Sequence, residues 1–147
     1  MSELKMWLFV VFVILMPIPC SGQNTSDLRA LLSAIDRPVT VLDLTRYEAS
    51  LDDLLALAKS PNETLYLRAR AIAAIGQLGD PNSFNALLQL WDNTLKPGLE
   101  LEIVYAIHTI QPRLDHWRLT SLLESRLAVS SPPVFFAITR LLDLDTP

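Results

Sequence analysis

What most limits the fold of this chain is that it repeats. Ser60-Pro61, Lys96-Pro97 and Ser131-Pro132 stand 36 and 35 residues apart, each where a helix is able to begin. After each pair, an Ala-Ile-x-x-(Ile/Leu) pattern recurs: Ala71-Ile72 with Ile75, Ala106-Ile107 with Ile110, Ala137-Ile138 with Leu141. A second pattern alternates with the first, an apolar residue followed at +3 and +4 by two leucines. It reads Leu51 with Leu54-Leu55, Phe84 with Leu87-Leu88, and Leu119 with Leu122-Leu123, at spacings of 33 and 35 residues. Both patterns have helical, not strand, periodicity. Two interleaved helix families on one period predict stacked helical hairpins, because one hairpin cannot bury its own apolar stripe and borrows its neighbour's. The expected fold is therefore all-α, an α-α superhelix of about three and a half hairpins. Small alanines in the first helices permit close approach, and the leucine pairs of the second helices fill the layer between repeats.

Composition agrees with a single small soluble domain. Half of the 147 residues are apolar, enough for a core, and 19% charged is too few for a disordered chain. Twelve Lys and Arg against sixteen Asp and Glu leave a net charge of −4, which disfavours nonspecific nucleic-acid binding or docking on an anionic membrane. One cysteine excludes an internal disulfide framework and a thiolate zinc cluster.

The first 22 residues read as a leader. Lys5 precedes the apolar run Met6–Met16, Pro17 and Pro19 break it, and the small residues Cys20, Ser21 and Gly22 follow. This is the layout of a secretory signal peptide, with an apolar run too short for a spanning helix. Cleavage after Gly22 leaves residues 23–147 as the repeat domain, free of thiols and periplasmic or extracellular, with no membrane insertion. A lipoprotein anchored through Cys20 is the less favoured alternative, since Pro19 is a poor residue to precede a lipidated cysteine. Asn24-Thr25-Ser26 and Asn62-Glu63-Thr64 match the glycosylation triplet, which matters only in a eukaryotic secretory pathway. Within the domain, Thr25 or Ser26 is expected to cap a first helix to about Ile35. Val39–Leu42 leans toward a strand, and a second helix is expected from Arg46 to Ala58.

The best-formed copy is Leu67-Arg68-Ala69-Arg70-Ala71-Ile72-Ala73-Ala74-Ile75-Gly76-Gln77-Leu78-Gly79-Asp80-Pro81. It resembles the HEAT repeat, in the variant called the phycobiliprotein-lyase HEAT-like repeat, and residues 67–90 follow that pattern closely. The resemblance implies tight helix packing at Gly76, a left-handed cap at Gly79, and a helix starting at Asp80-Pro81. It also implies that arginines such as Arg68 and Arg70 bridge neighbouring helices through hydrogen bonds and a carboxylate. The next copy departs from the pattern, with Ile103, Gln111 and Arg113 in the places of Arg68, Gly76 and Leu78.

Catalytic signatures are scarce. His108 occupies a position held by Ala73 and Thr139 in sibling repeats, which suits an exposed site better than a catalytic one, and His116 reads as a helix-start residue. Neither has metal-ligand spacing to a partner, and no nucleophile elbow or phosphate loop occurs. Asp52 and Asp53 follow Ser50 in a helix's first turn, where negative charge complements the dipole. Trp91 reads as core. No catalytic residue, metal or cofactor is expected, and the chain reads as a noncatalytic protein-interaction module or scaffold.

Partner contacts are expected on the second helices, which line the concave face of such solenoids. Aligning them puts Asp52, Asn85 and Thr120 in one column and Ala56, Gln89 and Glu124 in the next, a neutral-to-acidic groove for a polar or basic protein. Val134–Leu142 is apolar nearly all round, so this helix either packs deep against the preceding pair or meets another chain, a second copy included. Two other functions stay open: a lyase-like or chaperone role on a tetrapyrrole adduct, implied only by the name of the repeat variant, and inhibition of another protein.

Overall fold

The computed structural model describes residues 21–93, 96–110 and 116–144, so residues 1–20 of the expected leader, and Gln111 and Arg113, lie outside the described residues. Among the described residues the chain forms eight helices and no strand. They are α1 (Ser21–Ser33), α2 (Val41–Arg46), α3 (Leu51–Lys59), α4 (Leu65–Leu78), α5 (Ser83–Asp92), α6 (Pro97–Ile110), α7 (His116–Leu127) and α8 (Pro132–Leu144). None of them is long and apolar enough to cross a membrane.

The middle of the fold is set by α4. It packs along α3 and α6, takes α1 and α2 at one side, and α6 in turn packs on α8. The residues the repeat singles out, Ala71, Ile72 and Ile75 on α4, Ala106, Ile107 and Ile110 on α6, and Ala137, Ile138 and Leu141 on α8, are all buried, and Ala74, Ile103 and Val134 are buried with them. Leu54, Phe84, Leu87, Leu119 and Leu123 complete one continuous core from the alternate helices. Gly76 is where the approach is closest. A Cβ there would lie 2.9 Å from the Ala106 carbonyl oxygen and 3.1 Å from its Cβ, closer than packed atoms sit. Gly79 ends α4 in the left-handed conformation, φ 65°, as a helix-closing glycine does.

Local chemistry moves several expected boundaries. The residues that lean toward a strand instead start α2: the Thr40 hydroxyl accepts from the Asp43 N–H at 3.3 Å while the Thr40 N–H donates to the Asp43 carboxylate at 3.1 Å. This reciprocal capping box outweighs the β preference of three isolated side chains. A second box, Ser50 with Asp53, starts α3, so the helix expected from Arg46 begins only at Leu51, and Arg46 instead closes α2. Between them, the Ala49 N–H donates to the Leu44 carbonyl and the Glu48 N–H to that of Thr45. That is a Schellman closure, with Glu48 at φ 49° in the seat glycine usually takes.

The remaining shifts are smaller. Helix α1 already includes Ser21 and Gly22, so Thr25 and Ser26 lie inside it and it ends two residues before Ile35. Pro97 and Pro132 are first helical residues, but Pro61 sits in a turn and Thr64 caps α4. Asp80 starts no helix directly. Its carboxylate accepts from the Asn82 N–H at 2.7 Å, and α5 begins at Ser83.

Candidate functional site

The expected surface row lies on α3, α5 and α7. Asp52, Ala56, Asn85, Gln89 and Glu124 are exposed and Thr120 is half-buried, while Leu54, Leu87 and Leu123 of the same helices are buried. Each helix thus divides into an apolar inner stripe and a polar outer one. Asp52 and Asn85 occupy first turns, while Gln89 is two residues past the middle of α5.

Of this row, Gln89 lines a cleft. The cleft holds about 300 Å³ and is walled by Lys59, Arg68, Gln89, Leu90 and Asn93. Its parts come from the end of α3, the first turn of α4 and the end of α5. The alignment of second helices left out Lys59, which ends its own helix, and Arg68, which belongs to a first helix. They bring two cations to this part of the surface.

Arg68 is held, not free. Its Nε donates to the Ala58 carbonyl at 2.8 Å, tying α4 to the end of α3. Arg70 does the same for α1, donating through Nε to Leu32 at 3.4 Å and through Nη2 to the carbonyls of Ala34 at 3.3 Å and Arg37 at 2.6 Å. Both arginines bridge helices as the resemblance implies, but through backbone carbonyls. Among the described residues neither forms an ion pair with a carboxylate. The reason is geometric: a helix's last carbonyls lack intrahelical donors, and a guanidinium supplies several at once. Burial in turn raises the Glu102 carboxyl above its ordinary range, an effect that the positive charge of Arg70 partly offsets.

Other singled-out residues settle as follows. Trp91 is buried, and the Arg126 guanidinium lies 5.1 Å from its ring centroid while pairing with Asp92, which ties α7 to α5. His108 is half-buried, not exposed, and its Nδ1 is enclosed without a hydrogen-bond partner among the described residues. The repeat comparison misplaced it because Ala73 and Thr139, its counterparts, are half-buried too. His116 is the first residue of α7. Among the described residues no three His, Cys, Asp or Glu side chains come together as a metal site would require.

The last helix packs one face inward and leaves two aromatic side chains outside. Val134, Ala137, Ile138 and Leu141 pack inward, while Phe135 and Phe136 are 43% and 71% exposed and meet edge to face at 5.9 Å.

No known family model, curated protein or solved structure matches this chain.

Proposed function

We propose that the chain is an exported, noncatalytic HEAT-like repeat protein whose hairpins stack as a solenoid and whose second helices form a protein-binding surface. One observation carries the reading: α3, α5 and α7 each bury a leucine stripe and turn polar residues outward at equivalent repeat positions. Helix-to-helix order supports the stacking, since α4, α6 and α8 pack in series with Gly76 seated on Ala106. A surface borne on packed helices is preformed, so a partner would lose little affinity to ordering. Residues 1–22 would serve as the export leader. Self-association through α8 draws support from the exposed Phe135 and Phe136 and is tested by sedimentation across a range of concentrations.

The test is a surface substitution. Protein isolated from its own host is expected to retain a polypeptide in fixed ratio. Asn85→Glu with Gln89→Glu should release it without moving Tm, whereas a control at exposed Gly98 should not. Retention unchanged by the row substitutions would overturn the assignment of this surface.

A further inference from the structure

We infer that the cleft between the ends of α3 and α5 is an anion-binding subsite, built to take a carboxylate from an acidic segment of a partner protein. The inference rests on the interaction reading above and gives its partner a chemistry.

The donors and acceptors around the cleft decide what it attracts. Two helices end there, and helix ends carry partial negative charge on their last carbonyls, which would repel an anion. Six of those carbonyls are occupied. At the end of α3, Ala58 accepts from Arg68, and Ala56 and Leu57 accept from the Ser60 N–H. At the end of α5, Gln89 accepts from the Asn93 side-chain amide at 2.6 Å, and Leu90 and Trp91 accept from the Asn93 N–H. Most of the helix-end carbonyls near the cleft are thereby engaged within the chain, while Lys59 and Arg68 bring cationic donors to it. Lys59, Arg68 and Gln89, each with side-chain donors, line the same space.

Among the described residues neither cation of the cleft forms an ion pair with a carboxylate. Among the described residues the ion pairs join Arg29 to Glu63, Arg37 to Asp43 and Arg126 to Asp92, and none involves Lys59 or Arg68. In a chain of net charge −4, two cations outside these ion pairs at one cleft stand against the overall sign. Fixing Arg68 through Nε orients its guanidinium before any ligand arrives, which favours the paired geometry that a carboxylate accepts. A volume of about 300 Å³ admits a carboxylate side chain and its neighbouring backbone, and lies at the small end of ligand sites. Leu90 supplies an apolar floor for the methylenes.

The experiment titrates ¹⁵N-labelled full chain with the capped dipeptide acetyl-Glu-Glu-amide. It follows the side-chain signals of Arg68 Nε–H, Gln89 and Asn93. Saturable shifts confined to these groups are expected, weakening about fivefold from 20 to 300 mM NaCl as partly screened charge pairs do. Lys59→Glu, at an exposed helix end, is expected to weaken binding about tenfold with Tm unchanged, and Lys59→Arg to restore it. Capped Gln-Gln should not shift these signals. Equal response to the Gln-Gln peptide, indifference to Lys59→Glu, or tighter binding of inorganic phosphate than of the peptide would each overturn the proposal. Should the peptide fail while host-derived protein still retains a polypeptide in fixed ratio, the subsite falls and the interaction reading stands. Binding of the peptide by a chain that carries no polypeptide in its host would reverse that outcome.

Discussion

The two ends of helix α4 are held by different kinds of force, and the difference shows what in this chain is modular and what is particular. Toward α6, contact is apolar and shape-determined: Gly76 seats the Ala106 backbone, with Ile72, Ile75, Ile103 and Ile107 closed around it. Toward α1 and α2, the buried Leu28, Leu32 and Leu44 are joined by polar, directed bonds. Arg70 reaches three carbonyls across the interface, Arg29 of α1 pairs with Glu63 just ahead of α4, and Arg37 pairs with the buried Asp43. Apolar packing of small and branched residues repeats readily from one helix pair to the next. The polar junction is made once, for one neighbour.

Substitutions separate the two regions. The largest effect is expected at Gly76. Relief of glycine's helix penalty would gain about 1 kcal/mol at an open site, but here the added carbon meets backbone that has nowhere to move. Gly76→Val should therefore destabilise by roughly 3 kcal/mol or more, read as a fall in urea midpoint with α4 and α6 losing amide protection together. Arg70→Met keeps much of the side-chain volume and removes the carbonyl bonds. It should cost about 1–3 kcal/mol, with faster amide exchange in α1 and α2 and little change in α6.

Below these comes the α2 cap. Thr40→Ala removes one half of the capping box, for about 1 kcal/mol. It also exposes a pH dependence. Hydrogen bonds from the Thr40 side chain and backbone, aided by Arg37, hold the Asp43 carboxyl below its ordinary range. A carboxyl depressed in the folded state contributes stability above its unfolded pKa and loses it as pH falls through the folded value. Wild-type stability should thus drop below about pH 4, the ordinary range of an aspartate, and Thr40→Ala should flatten that drop in an acid titration followed by circular dichroism. The smallest effect is a gain: no atom lies within 4 Å of a Cβ at Gly98, so Gly98→Ala should raise stability by at most about 1 kcal/mol. Equal effects at Gly76 and Gly98 would break the comparison.

The same division explains what the sequence makes legible. Ala71, Ile72, Ala106 and Ile107 are buried where the repeat puts them, because helical periodicity and burial are one fact seen twice. The break between α2 and α3 was hidden because Glu48, not glycine, takes the left-handed seat, and because Thr40–Asp43 reads as β-leaning until its cap is recognised. Asp52, Asn85, Gln89 and Glu124 are exposed as column alignment suggests. Lys59 and Arg68 escaped that alignment because the cleft joins the end of one helix to the start of the next. A column drawn along second helices alone does not cross that junction. Arg68 was legible as a bridge but not as a wall of the cleft, since one guanidinium does both.

Native mass spectrometry of protein gently isolated from its own host tests the account most directly. A species whose mass begins at Gln23, carrying a second polypeptide in fixed ratio, is the predicted result. A lone monomer holding a small ligand, or a chain that keeps its first 22 residues, would contradict it.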